Sequence, residues 1–347
     1  MRATFVYPSS RRAYAEEVAR GTAPDSQLLG QNHLHRHGID AHIHDSLIPT
    51  TLSPPPLARG AWLLREVVLP VELGPTDVVF TGLATLFPVA AGFRRFRTVL
   101  VNYGLNQIHR RGGRARGELL RRSLRAADLV VCFGQSQRDE LEAEGVVRAS
   151  RLATIPLGVD DGWFSPRPAP DGRPSVLAVG KDLARDYATF VEAVAPLDVE
   201  AEIVALPRNV EGLTIPAAVR VRQRSLIELR DLYARAACVV IPQYGDDFTY
   251  GADGGLTVLL EAMAMGRPVV ATDRELVREY VDHDVEALLV PPEDPAALRG
   301  AIESVLADRD LAVRLGSAAR ARVERAYSTR AFAAQLAQVL ESVVYPR

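Results

Sequence analysis

The sequence predicts an α/β protein built as two doubly wound domains, each a parallel sheet flanked by helices. Three observations carry this. At 347 residues the chain exceeds what one hydrophobic core usually fills, so two domains of roughly 150–170 residues are the starting expectation. Short apolar runs without polar alternation recur between helix-length amphipathic segments, the pattern of strands buried on both faces with crossover helices between them. Finally, "LRAADLVVCFGQS" (124–136) is echoed by "YARAACVVIPQYG" (233–245), each a helix end, an Ala pair, a strand and a polar turn. Similar layers therefore occur twice.

In chain order, the opening "MRATFVYPSS" runs straight into the strand "ATFVY". It lacks the basic start, apolar stretch and small-residue cleavage site of a signal peptide, so a cytoplasmic protein is expected. The segment "HLHRHGIDAHIH" (33–44) reads as a helix end, a turn and a second strand. Its five histidines put His33 and His37 on one helical face and His42 and His44 on one strand face. No acid–cysteine set completes a metal site there. The most membrane-like stretch, "FTGLATLFPVAAGF" (80–93), holds Pro88 and two glycines and is shorter than the ~18–20 residues of a span. It reads as strand, turn and buried helix. The runs "DVVF", "RTVLVN" and "LVVCF" continue the first sheet, and "SVLAVG", "EIVAL", "CVVIP" and "PVVATD" build the second. Between the two sets, "IPLGVDDGWFSPRPAPDGRPS" (155–175) is rich in Pro, Gly and Asp without helical period and reads as the linker. The last segment, "STRAFAAQLAQVLESVV" (328–344), is an amphipathic helix with Ser328 at its N-cap position.

Charge is nearly balanced, 41 Lys and Arg against 43 Asp and Glu, so no global field selects nucleic acid or a membrane. Cys132 and Cys238 lie in apolar strand runs, where reduced cysteine behaves as a small hydrophobe. Neither a disulfide nor a zinc site is expected. The run "HRRGGRARGELLRRSLR" (109–125) is locally basic. It reads as a solvated helix, a contact for an anionic acceptor, or a docking segment for an acidic lipid surface. With no aromatics among the arginines, nucleic acid is the poorest partner.

Ligands of doubly wound sheets bind in loops beyond the carboxyl ends of the strands. Two such loops stand out. After "CVVIP", the acidic, glycine-rich "QYGDDFTYGADGG" leads into "LTVLLEAMAMG", a helix from about Leu256 to Met265 with Gly266 placed for its C-terminal cap. Its free N–H groups, approached across Gly254 and Gly255, form an anion site suited to a diphosphate. Glu261 on that helix has Thr257, Val258, Ala264 and Met265 as its neighbours three and four residues away, so no basic side chain pairs with it along the helix. It either reaches solvent or accepts hydrogen bonds from elsewhere. After "SVLAVG" come Gly180, Lys181 and Asp182, then Arg185 and Asp186 at a helix start. Lys181 is the only lysine in the chain. It and Arg185 suit a phosphate, or else form salt bridges with the neighbouring aspartates.

From about Asp128 onward the chain resembles the family 4 retaining glycosyltransferases. The residues that carry this are "IPLGVDDGWFSP", "VGK" followed by Arg185, "LLEAMAMGRPVVATD", "LLVPPEDPAAL" and "ARVERAYS", in that order and spacing. The first 125 residues are similar only in layout. The resemblance implies the GT-B fold: two facing Rossmann-like domains with parallel sheets, and a C-terminal crossover helix returning to the first. The domains expected are 1–157, rejoined by the helix 329–347, and 158–328.

The resemblance also assigns roles. Lys181, Arg185 and Asp253 are the implied catalytic residues, the two cations on the donor diphosphate and Asp253 on the donor sugar. Gly180, Gly254, Gly255, Leu256 and Thr257 border the donor, and Glu261, eight residues beyond Asp253, holds ribose. The acceptor side is assigned to Ser9, Arg11, Asn102, Tyr103 and His109. Three positions depart from the family pattern: Asp253 stands where Glu is usual, Asn102-Tyr103 where His is frequent, and "YPSSRRAY" where a glycine pair is common. The implied activity is transfer of a hexose from a nucleotide-diphosphate sugar to a small-molecule, glycan or lipid acceptor with retained configuration. No protein nucleophile, metal or further cofactor is implied, Asp246 and Asp247 notwithstanding, and peripheral membrane contact is one expected association. The alternatives are a nucleotide-sugar epimerase of the same fold and a non-catalytic nucleotide-sugar-binding partner subunit.

Overall fold

The computed structural model describes residues 1–48, 55–105, 113–168, 175–247 and 255–346. The chain divides into two compact units, one of Met1–Gly21, Asp25–Pro156 and Thr329–Arg347, the other of Thr22–Pro24 and Leu157–Ser328.

The first unit is a parallel sheet of β1 (Arg2–Val6), β2 (Asp40–Ile43), β3 (Val78–Thr81), β4 (Arg97–Val101), β5 (Leu129–Cys132) and β6 (Leu152–Thr154), in the order β2-β1-β3-β4-β5-β6. Its helices are α1 (Arg12–Ala19), α2 (Pro55–Glu72), α3 (Phe87–Ala91), α4 (Gly113–Ala126), α5 (Gln135–Ala143) and the C-terminal helix Thr329–Val344. Parallel crossovers are right-handed, so the connections running from β2 towards β6 put α2, α3, α4 and α5 on one face of the sheet. The C-terminal helix packs on the other face, against the 3₁₀ helix Gln31–His37. Leu100, Leu120, Leu124, Val130 and Leu141 form a core between sheet and helices.

The second unit repeats the plan with β7 (Ser175–Val179), β8 (Glu200–Val204), β9 (Val219–Arg222), β10 (Ala236–Ile241), β11 (Val269–Thr272) and β12 (Leu288–Val290), in the order β12-β11-β10-β7-β8-β9. Its main helices are α6 (Tyr187–Val194), α7 (Leu226–Arg235), α8 (Leu256–Ala264), α9 (Glu275–Arg278), α10 (Pro295–Ala307) and α11 (Arg309–Ala326). This is the strand order of dinucleotide-binding sheets, with the chain reversing direction between β7 and β10. In the first unit the reversal falls between β1 and β3.

In the stretch read as the linker, the part from Leu157 to Phe164 is folded. Phe164 is fully buried. Arg320 of α11 donates to the carbonyls of Asp161, Phe164 and Ala264 at 3.0, 2.9 and 2.6 Å. One guanidinium thus replaces the secondary structure that the prolines and glycines deny this segment. Cys132 and Cys238 are buried and form no disulfide, and burial pushes the Cys238 thiol up to about 12. Among the described residues no helix is long and apolar enough to cross a membrane.

Candidate functional site

The reversal point of the second sheet is where the sequence-selected residues meet. The loops after β7 and β10 are laced together, Asp186 N–H to Pro242 O at 3.1 Å and Tyr244 N–H to Ala184 O at 3.0 Å. Asp186 caps α6 by accepting from Thr189 N at 3.0 Å. The Arg185 side chain lies back across Gly180 so closely that a Cβ there would collide with Nε and sit 2.6 Å from Cζ. Only glycine leaves that space. Arg185 is buried, pairs through Nε with Asp182 Oδ2 at 2.8 Å, and keeps Nη1 buried with no acceptor among the described residues. Lys181, in contrast, is exposed. The two cations expected on a phosphate therefore stand at different depths, one exposed and one buried.

Gly255 precedes α8 in a left-handed conformation, φ 98°, and a Cβ there would lie 2.7 Å from Gln243 Oε1. Both facts require glycine. Leu256 is buried and Thr257 exposed at the helix start, whose first N–H groups have no partner within the helix. Glu261 turns inward and is only 7% exposed, which removes the solvent-facing reading. Tyr233, at the end of α7, donates its hydroxyl to Glu261 Oε2 at 2.8 Å, and among the described residues this is the carboxylate's one hydrogen bond. Burial pushes the Glu261 carboxyl up to about 7, against the lesser downward pull of the Tyr233 bond and the Arg185 charge. Burial and the adjoining carboxylate in turn hold the Tyr233 phenol well above its ordinary range. Asp253 and Gly254 lie outside the described residues. Asp246 pairs with buried Arg274 at 3.0 Å and caps α9 through Glu275 N at 3.0 Å.

At the corresponding reversal in the first unit, the β1–α1 loop is braced from below. Buried Arg65 donates to the carbonyls of Tyr7 and Pro8 at 2.9 and 2.7 Å. Asp45 accepts from Ser10 Oγ at 2.6 Å and Arg11 N at 3.2 Å. Arg11 reaches Ser9 Oγ at 2.9 Å and lies over the Tyr14 ring. Ser9 is exposed. Asn102, expected on the acceptor surface, is instead fully buried. Its Oδ1 accepts from Leu105 N at 2.7 Å, so it shapes the turn after β4 and presents no amide outward. Tyr103 is 42% exposed, packed edge-on against Phe133. His109 lies outside the described residues.

The histidine-rich segment resolves into separate pairs: His33 with Asp25 at 2.6 Å, His42 with Asp40 at 2.8 Å and His44 with Glu72 at 3.4 Å. Among the described residues no three His, Cys, Asp or Glu side chains gather around a metal position. Tyr233, Gln243 and Arg65 went unnoticed in the sequence. Each acts across 28 or more residues or through a loop contact, and no local spacing signals that.

Residues 3–163 match the family model described as Glycosyltransferase Family 4, and residues 174–308 that described as Glycosyl transferases group 1. An MMP alpha-(1->4)-mannosyltransferase of Mycolicibacterium hassiacum is 28% identical over 271 residues, 73% of this chain and 61% of that protein. Across three curated relatives the match takes in 25%, 56% and 61% of their own length, so this chain spans less than two thirds of each. Among solved structures, sucrose-phosphate synthase from Thermosynechococcus elongatus overlays with a TM-score of 0.75 at 21% identity, over 99% of both chains. HepE of Anabaena, in complex with UDP-glucose, does so with a TM-score of 0.71 at 16% identity, over 98% of this chain and 99% of that one. Those overlays show the fold. With adjoining matches that begin at residue 3 and end at residue 308 on two six-stranded parallel sheets, the chain belongs to the family 4 glycosyltransferases of the GT-B fold.

Proposed function

We propose that the protein transfers a sugar from a nucleotide-diphosphate sugar to an acceptor hydroxyl with retained configuration. The observation that carries this is the pair Arg185 and Glu261 at the reversal point of the second sheet. Among the described residues, a buried cation with an unused donor and a buried acid with a single hydrogen bond lie at the reversal point where sheets of this order bind nucleotides. In this reading Glu261 accepts from the ribose hydroxyls. Arg185, Lys181 and the N–H groups at the start of α8, reached across Gly180 and Gly255, hold the diphosphate. Asp253 is assigned to the sugar hydroxyls. That HepE carries UDP-glucose in its structure supports a nucleotide-sugar donor.

Catalysis then consists of positioning and charge stabilisation. The bond from the anomeric carbon to the diphosphate oxygen breaks, and the negative charge grows beside the cations. The acceptor oxygen forms the new bond on the same face, and its proton passes to the departing phosphate oxygen. No covalent enzyme intermediate is needed, and the proposal includes no metal or further cofactor. The acceptor, a small molecule, glycan or lipid, is assigned to the loops around Ser9, Arg11 and Tyr103.

The test is a thermal-shift screen with uridine, guanosine and deoxythymidine diphosphates and their sugars, followed by nucleotide release with candidate acceptors. Stabilisation by one nucleotide series, lost in Lys181→Ala and Glu261→Ala, is expected. Binding unchanged in both variants would remove the site assignment. Interconversion of two nucleotide-sugars without acceptor would replace transfer by epimerisation, and binding without any turnover would leave a partner subunit.

A further inference from the structure

The edge strand β2 borders a cavity that sugar transfer does not use. Side chains alternate between the two faces of a strand, so Asp40, His42 and, just past the strand, His44 share one face. They lie level with Arg2 and Thr4 of β1, in the parallel register Arg2–Asp40 and Thr4–His42. Val6, on the same face of β1, packs with Leu69 of α2, so this is the face that α2 covers. The helix ends at Glu72, and the turn Leu73–Gly74–Pro75 leads the chain on towards β3. Beside the edge strand the face remains as a cavity of about 260 Å³, lined by Arg2, Thr4, Arg12, His42, Ile43, His44 and that turn.

The make-up of the wall selects the ligand. Among the described residues, every ionisable side chain in it is an arginine or a histidine. The carboxylates that touch these groups are not part of the wall and are already shared. Asp40 takes His42 at 2.8 Å and Arg2 Nε at 3.4 Å, and Glu72 takes His44 at 3.4 Å and Leu47 N at 3.3 Å. Asp45 accepts from Ser10 Oγ and Arg11 N and stands 4.0 Å from Arg12, too far for a hydrogen bond. Arg2 gives Nη1 to the Pro75 carbonyl at 3.1 Å. Arg12, and Nη2 of Arg2, thus have no hydrogen-bond acceptor among the described residues, so the ligand has to bring acceptors. Phosphate oxygens suit two guanidinium groups best. The volume falls below the roughly 300–1,000 Å³ of sites for drug-sized molecules, and Ile43 and Leu73 offer apolar contact to a short carbon frame.

We propose that this cavity binds a small phosphomonoester, its phosphate held by Arg2 and Arg12 beside the two histidines and its carbon frame against Ile43 and Leu73. The site belongs to the first unit and is independent of the sugar-transfer chemistry assigned to the reversal point of the second.

The experiment is calorimetric titration of the full chain with glycerol 3-phosphate, inorganic phosphate and glycerol, with the imidazole NMR signals of His42 and His44 followed in parallel. One saturable site for glycerol 3-phosphate is expected, tighter than for inorganic phosphate and absent for glycerol, with both imidazoles shifting as it fills. Arg2→Gln/Arg12→Gln should weaken this binding by about tenfold or more through the lost charged hydrogen bonds. Both positions are exposed, so that variant should keep the parent's melting temperature and any nucleotide-induced thermal shift. Lys181→Ala, which removes the exposed cation assigned to the donor diphosphate, should bind glycerol 3-phosphate as the parent does. Absence of saturable binding, or binding that leaves both imidazoles unmoved, would overturn the proposal. So would binding that Lys181→Ala abolishes and Arg2→Gln/Arg12→Gln spares, which would place the phosphate at the donor site. Inorganic phosphate bound as tightly as glycerol 3-phosphate would overturn the assignment to a phosphomonoester.

Discussion

Replacing Glu261 by glutamine should stabilise the second unit at neutral and alkaline pH while removing its hold on nucleotide. The carboxyl's ordinary value of 4.5 is pushed up to about 7, so the fold resists its ionisation. The sign follows from linkage: stability on this account is fully present below about pH 4.5 and is lost as pH rises through about 7. Raising a proton affinity by that much corresponds to about 3 kcal/mol, at about 1.4 kcal/mol per tenfold. Glutamine is neutral throughout and keeps an oxygen for the Tyr233 hydroxyl, so it avoids this cost without losing the 2.8 Å hydrogen bond. The expected gain is therefore close to zero near pH 4.5 and approaches about 3 kcal/mol above about pH 8. Urea unfolding of both proteins at about pH 5 and about pH 8, followed through the second unit's transition, measures it. Equal changes at the two pH values, or destabilisation at the higher one, would refute the assignment of Glu261 as a buried, reluctantly ionised acid. The same samples with nucleotide added report function, since ligand stabilisation grows with ligand concentration over Kd and should vanish in the variant.

Two further predictions bear on the same site. Tyr233→Phe removes the bond that favours the ionised carboxyl, so nucleotide binding that needs the carboxylate should fail at higher pH than in the parent. Calorimetric titration across pH checks this, with an affinity loss of about 1–3 kcal/mol expected from the lost bond. Gly180→Ala places a Cβ against Arg185, so it should weaken nucleotide binding as much as Arg185→Ala does. The double variant should be no weaker than either single one, because both act on one guanidinium.

Which parts of this protein were legible follows from how its strands are buried. The runs read as strands in "ATFVY", "DVVF", "RTVLVN", "LVVCF", "SVLAVG", "EIVAL", "CVVIP" and "PVVATD" became β1, β3, β4, β5, β7, β8, β10 and β11, the interior strands of both sheets. Interior strands are covered on both faces, which leaves an unbroken apolar signature. The strands β6, β9 and β12 passed unnoticed, and β2 was read only as the strand after a turn. All four are sheet edges, short and partly exposed, with β2 and β9 containing charged residues such as Asp40 and Arg220. In the site, Gly180, Arg185, Gly255 and Glu261 were visible because their meaning is local: a strand end, a helix start, a glycine where a ligand approaches. Tyr233 was not, since its partner is 28 residues away in sequence. The inward turn of Arg65 on α2 was invisible for a related reason. Periodicity finds an apolar face, but only the Tyr7 and Pro8 carbonyls decide that Arg65 faces inward.

The state of Arg185 and Glu261 relative to each other bears on what the site is for. They are opposite charges, both buried, close enough for the arginine to pull the carboxyl downward, yet no hydrogen bond joins them. Arg185 is held by its ion pair with Asp182, by its seat across Gly180 and by a β-bridge of its backbone with Gln243, while a Cβ on Gly255, just before α8, would lie 2.7 Å from Oε1 of the same Gln243. A fold selected for stability alone would close the gap or replace both charges with apolar side chains, since an incompletely paired buried charge is destabilising. Held apart, Arg185 Nη1 has no acceptor and the carboxylate one donor among the described residues. A nucleotide diphosphate offers what each lacks, hydroxyls for the acid and phosphate oxygens for the cation. On this reading the reluctance of Glu261 to ionise and its affinity for ribose have one cause, which is why Glu261→Gln should raise stability and abolish binding together.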